Sequence, residues 1–90
     1  MTDLDLSFRI WVSLSERDRT GQEIFEILSN SHITATEFAL LIRFSVSRGY
    51  IEVAVESKNL RARTYRLTDD GRRAIVGTRA YYRGMAELQS

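Results

Sequence analysis

The spacing of hydrophobic and polar positions changes several times along the chain, and each change marks an element. From Leu4 to Leu14 (LDLSFRIWVSL), Leu4, Leu6, Phe8, Ile10, Val12 and Leu14 alternate as in a strand. Leu4, Phe8, Trp11 and Val12 also share one helical face, so periodicity leaves both readings open here. The polar break SERDRTG follows. In TGQEIFEIL, Thr20 and Glu23 have the spacing of a capping box, where hydroxyl and carboxylate each take a backbone N–H. Ile24, Phe25, Ile27 and Leu28 give that short helix a face to bury, and the polar cluster SNSH ends it. The same signal returns at Thr34 and Glu37, opening a helix with Phe38, Leu41 and Ile42 inward and Gly49 at its C-terminal end. Two short helices across a tight polar turn make a helix-turn-helix candidate.

Period two then takes over. YIEVAVE (50–56) puts Ile51, Val53 and Val55 on one face, and 61–67 puts Arg61, Arg63, Tyr65 and Leu67 on one face. Matching the two apolar faces in a hairpin requires a three-residue loop, Lys58 to Leu60, because a slip of one residue flips every side chain. That register sets Glu52 opposite Arg66 and leaves Lys58, Arg61 and Arg63 at or near the tip. A last helix follows, with Thr68 as N-cap, Asp69 and Asp70 in its first turn, and fraying expected beyond Glu87. Its apolar line is Ile75, Tyr82, Met85 and Leu88, joined by Val76 and Tyr81; Arg72, Arg73, Arg79 and Arg83 take much of the rest. An apolar stripe this long on a small domain predicts a dimer interface.

Composition narrows the classes. Ninety residues without a Pro-, Gly- or Ser-rich linker predict one domain, 4–67 plus a C-terminal helix at 68–90. With no cysteine and a single histidine, His32, no zinc site is expected. The acidic start MTDLDLSF is unlike a secretory signal, and no apolar run approaches a membrane span, so a soluble cytoplasmic protein is the default expectation. The net charge of +1 conceals an asymmetry. Residues 1–57 carry five arginines against nine acids, a net of −4, and residues 58–90 carry eight basic residues against three acids, a net of +5. The C-terminal third is therefore the part that suits an anionic partner. No paired nucleophile and base and no phosphate-cradling glycine loop is present, so an enzyme is not expected and no cofactor is called for.

The stretches TGQEI (20–24), RGYIE (48–52) and RTYRLTDDGRRAI (63–75), in this order, resemble the winged helix-turn-helix regulators, most closely the PadR-like and MarR-like families. The resemblance spans about residues 4–76 and departs from the PadR-like pattern at Ala39 and Ser45. It implies an α+β, mainly helical fold of three helices, a two-stranded wing and a C-terminal dimerisation helix, with Leu4–Leu14 helical.

It also implies a function: a dimer binding double-stranded DNA, a repressor occluding an inverted-repeat operator. The third helix would lie in the major groove and the wing on the backbone. Of the outward positions Thr34, Thr36, Glu37, Leu40, Arg43 and Ser47, the base or phosphate contacts would be Thr34, Thr36, Arg43 and Ser47. Glu37 reads as a capping residue, and Leu40 or Phe44 as packing against a partner. Lys58, Arg61 and Arg63 would anchor the wing, and Ile75, Tyr81, Tyr82, Met85 and Leu88 would form the dimer interface. Thr68 and Gly71 read as structural and Tyr65 as core. The competing reading is a winged-helix module that binds protein. Family analogy alone adds a small-molecule effector pocket at the dimer interface, lined by Trp11 and Tyr81 or Tyr82.

Overall fold

Thr2, Thr20 and Thr34 begin three helices in the same way. In a computed structural model that describes residues 2–89, each threonine hydroxyl accepts a backbone N–H three residues on. Asp5, Glu23 and Glu37 return a carboxylate to the cap residue's own N–H. The elements in order are α1 (Asp3–Glu16), β1 (Arg19–Thr20), α2 (Gly21–Ile27), a short 3-10 turn (Ser29–Ser31), α3 (Ala35–Ser47), β2 (Ile51–Val55), β3 (Thr64–Leu67) and α4 (Asp69–Gln89). The helix-turn-helix is thus α2 and α3. The final helix continues past Glu87 to Gln89, while Ser90, the rest of the turn expected to fray, lies outside the described residues.

The ambiguous first segment is a helix, but its buried face is not the one expected. Leu6, Ile10 and Leu14, spaced by four, point into the core together with Trp11, whereas Leu4 is 40% exposed and Phe8 and Val12 are half-buried. Ile24 and Leu28 of the α2 segment, Phe38, Leu41 and Ile42 of α3, Ile51 of β2, and Tyr65 and Leu67 of β3 complete the core. Arg9 ties α1 to the helix-turn-helix by donating to the Ser31 hydroxyl (2.7 Å) and the Ile27 carbonyl (3.0 Å).

The wing keeps the expected register near the body, with Ile51 opposite Leu67, Glu52 opposite Arg66 and Val53 opposite Tyr65. The predicted cross-strand pair forms, Arg66 to Glu52 at 2.9 Å. Toward the tip a bulge between Val53 and Val55 shifts the register, so that Val55 pairs with Thr64. The three-residue loop expected there is instead an eight-residue connection, 56–63. Asn59 is the cause: its side chain accepts from Ala62 N (2.9 Å) and its carbonyl from Ala62 N and Arg63 N, which bends 59–62 out of the ladder. The carbonyls of Arg61 and Arg63 are taken by the N–H groups of Gln22 and Gly21, both at 2.9 Å. These bonds extend the pairing of β1 with β3, which makes the sheet three-stranded in the order β1-β3-β2. A strand of two residues carries too little pattern to be read within SERDRTG. The loop lies so close to α2 that a β-carbon on Gly21 would sit 2.3 Å from the Leu60 carbonyl oxygen.

At the other end of the wing, Thr68 does cap α4. Its hydroxyl accepts from Gly71 N (3.0 Å) and lies within hydrogen-bond reach of the Gly49 and Tyr50 carbonyls. Gly49 takes the left-handed conformation (φ 75°) that turns the chain from α3 into β2. Gly71 has no room for a side chain: a β-carbon would fall 2.1 Å from the Tyr50 carbonyl oxygen. From this junction α4 runs back along α1, burying Ile75 and Thr78.

Candidate nucleic-acid interface

Helical spacing puts Thr36, Leu40, Arg43 and Ser47 on one outward face of α3, opposite the buried Phe38, Leu41, Ile42 and Ser45. Ser45 replaces an apolar core residue without leaving a polar group unsatisfied. Its hydroxyl accepts the indole N–H of Trp11 at 3.0 Å, so the departure from the PadR-like pattern is matched by a partner on α1.

Between α3 and the wing lies a groove of about 400 Å³. Arg43 and Ser47 stand on its helix side and Lys58 and Arg63 on its wing side; its other lining residues are apolar or aromatic, and none is acidic. Arg43 and Lys58 have no ion pair among the described residues. Ser47 donates its hydroxyl proton to the Phe44 carbonyl (2.8 Å), which leaves its oxygen as an acceptor. Thr34 and Thr36 are exposed at the N-terminal end of the helix, but the Thr34 hydroxyl is engaged in the cap by Glu37 N (3.1 Å). Glu37 serves that same cap, as its spacing predicts.

The three wing cations do not form the single cluster that the alternating pattern suggests. Arg61 turns away from α3. Its guanidinium stacks 4.0 Å from the ring centroid of Phe25 and reaches Gln22 Oε1 at 3.4 Å, so it braces the loop against α2. Arg63 is paired with Glu56 at 2.6 Å and donates to the Ser57 carbonyl at 3.3 Å. Backbone and arginine hydrogen bonds hold the Glu56 carboxyl below the ordinary carboxylate range, so it stays charged beside the wing. Lys58 is the exposed, unpaired cation of the three. Neither the Glu56 pair nor the Phe25 stack is visible in alternation, since both depend on the bend at Asn59. Arg48 is a further cation that the pattern does not single out; it is exposed at the end of α3, 5.5 Å from the Phe44 ring centroid.

The residues expected on a pairing face also divide. Ile75 lies in the protomer's own core, and Tyr82 is half-buried against α1, edge-on to Phe8 at 5.9 Å with its hydroxyl donating to Asp5. That hydrogen bond pushes the tyrosine up to about 12 and the aspartate down. Tyr81, Met85 and Leu88 are exposed. Trp11 and Tyr81 line one larger cavity, of about 670 Å³, bordered by α1, α3 and α4; Tyr82 is not among its lining residues. Among the described residues no three histidine, aspartate or glutamate side chains could hold a metal ion, and no helix is long and apolar enough to cross a membrane.

No protein-family model and no curated protein sequence matches the chain. Solved structures do. That of smu.1704 from Streptococcus mutans UA159 superposes with a TM-score of 0.80 at 20% identity, over 94% of this chain and 82% of that one. The adhesin competence repressor AdcR from Streptococcus pyogenes gives 0.65 at 13% identity, over 94% and 61%. NMB1585, a MarR family regulator from Neisseria meningitidis, gives 0.64 at 18%, over 93% and 57%, so this chain spans under two thirds of the last two. At such identities the likeness is one of fold: the chain is a winged helix-turn-helix. The PadR-like part of the resemblance is carried by the sequence motifs alone.

Proposed function

We propose that the chain is a transcriptional regulator that binds double-stranded DNA as a dimer, laying α3 in the major groove with the wing over the adjacent backbone. The observation that carries this reading is the groove that sets Arg43 and Ser47 across from Lys58 and Arg63 with no acid in its lining. Arg43 is placed to grip a base edge through two hydrogen bonds, and Lys58 to neutralise a phosphate. Thr36 adds a contact one face-repeat up the helix. A dimer formed through the exposed side of α4 would present two such faces to an inverted repeat, and occupancy of a promoter would repress it. The likeness to regulators supports the reading; within it Arg61 is proposed as an internal brace rather than a phosphate anchor, which its stack on Phe25 supports.

Fluorescence anisotropy on genomic duplexes, across a salt series, tests this. Arg43→Ala should cost about 1–3 kcal/mol on the cognate site, and Lys58→Ala should weaken all duplexes and lower the salt slope by roughly one. Glu56→Gln should tighten binding, because it removes the acid that competes for Arg63. Indifference to both alanine changes would exclude the groove as the DNA surface. A specific observation favours the competing protein-binding module: Leu40 and Phe44 are 60% and 43% exposed on α3. Failure of every duplex to bind at low salt, with a stable protein partner co-purifying, would select it.

A further inference from the structure

Of the chain's thirteen basic residues twelve are arginine, and Lys58 is the sole lysine. The difference is one of reactivity. A guanidinium stays protonated, so it holds anions but does not attack carbonyl carbon, whereas a lysine amine can lose its proton and act as a nucleophile. The one side chain able to form a stable amide therefore stands in the wing.

Its surroundings suit an anionic reagent. Lys58 is exposed and has no ion pair among the described residues. It shares the 400 Å³ groove with Arg43 and Arg63, and no carboxylate lines that groove. Glu56 largely neutralises Arg63, at 2.6 Å, which leaves Arg43 as the guanidinium available to an anion. Such a fork matches the oxygens of a phosphate. Between the cations the walls are apolar, from Ile42 and Val46 on α3 and from Val53 and Leu60 on the wing side. The next residue, Asn59, closes the turn that folds the loop toward α2, so Lys58 springs from a fastened loop rather than an open hairpin tip.

We propose that Lys58 is an acyl-acceptor site and that the groove binds its donor, an acyl phosphate, with the phosphate against Arg43 and the acyl group along the apolar walls. The unprotonated Nζ attacks the carbonyl carbon and a C–N bond forms. The bond from that carbon to the phosphate oxygen breaks, phosphate leaves with the electron pair, and the surplus proton on nitrogen passes to water. Nothing is oxidised or reduced. A positive amine becomes a neutral amide, while the arginines are untouched, so one reaction resets the charge of the wing. For its consequence this inference rests on the DNA-binding reading above, in which the wing would lose its unpaired cation.

Incubation of the full chain with acetyl phosphate, read by peptide mass spectrometry, tests the site. Lys58 should acetylate about tenfold faster in the folded chain than in a synthetic peptide of residues 55–62, with a rate that saturates in reagent and falls under excess inorganic phosphate. Arg43→Ala, an exposed change with circular dichroism as its control, should bring the rate down to that of the peptide. Equal rates in chain and peptide, or a rate indifferent to Arg43→Ala, would overturn the inference. Fluorescence anisotropy then reads the consequence: the acetylated chain should bind duplex with a salt slope lower by about one. Lys58→Arg, which offers no acceptor there, should bind the same before and after the reagent. An unchanged slope after complete acetylation would overturn the charge-resetting role. Failure of every duplex to bind, with acetylation still dependent on Arg43, would sink the DNA-binding reading and leave the acyl-acceptor site standing.

Discussion

Thr68 shows how much one side chain can hold. Its hydroxyl caps α4 through Gly71 N and meets the carbonyls of Gly49 and Tyr50, where α3 turns into the wing. The motifs RGYIE and RLTDDG, apart in sequence, are two sides of this one junction. That is why both contain a glycine: Gly49 for its backbone conformation, Gly71 for closeness to Tyr50. Ser45 makes a comparable case. A leucine there would overfill a site that is fully buried and would strand the indole N–H of Trp11. Ser45→Leu should therefore lose about 2–4 kcal/mol in denaturant melts, and Ser45→Ala less, about 1–2 kcal/mol. A leucine variant as stable as the wild type would show that the hydroxyl–indole contact is dispensable.

At the scale of elements, legibility followed the range of the interactions. Capping boxes at Thr20 and Thr34 and the N-cap at Thr68 are local, and they stand where their spacing puts them. The Glu52–Arg66 register was readable because two apolar faces had to coincide. The first helix was not settled by its own pattern, because Leu6, Ile10 and Leu14 satisfy both periods. β1 and the folded-back loop depend on backbone bonds between Gly21, Gln22 and the distant 61–63, which no side-chain period reports. The candidate site inherits that gap: Arg43 faces outward on α3 and Lys58 is exposed in the longer loop, while Arg61 and Arg63 acquire partners only once the loop bends.

The α2 cap also sets a pH dependence. Hydrogen bonds from Thr20 N–H and then Arg17 hold the Glu23 carboxyl at about 2, against 4.5 ordinarily. Its contribution is thus fully present above about pH 4.5 and is lost as the pH falls toward 2. Asp5 and Glu56 are lowered in the same direction and add to the acid slope. Thermal melts between neutrality and acid should show Glu23→Gln with a shallower decline below pH 4.5 than the wild type. Parallel curves would mean the carboxylate is no better bound folded than unfolded.

Across the whole molecule, the charge asymmetry of the sequence survives but changes meaning. Asp5, Glu23 and Glu37, in the acidic part, serve as helix caps. In the basic part, Arg63, Arg66 and Arg73 are engaged with Glu56, Glu52 and Asp70. The surplus left for an anionic partner is smaller and more localised than a net of +5 suggests, and Arg43, from the acidic part, joins it. If the chain binds DNA as the proposed dimer, few free cations mean it should discriminate by geometry. One base pair added between half-sites rotates them by about 35°, and anisotropy on a spacer series should show a loss of about tenfold. A flat series would mean the two halves move independently.

The junction that would fix such geometry is at Thr68. The residue ties the end of α3, the foot of the wing and the start of α4 into one joint, with no room for a side chain at Gly71. Whatever α4 binds is thereby set at a constant angle to α3. If the chain binds DNA as proposed, the joint works as a gauge: a change at Thr68 would first blur the spacing of half-sites a dimer accepts, before its preference for any base.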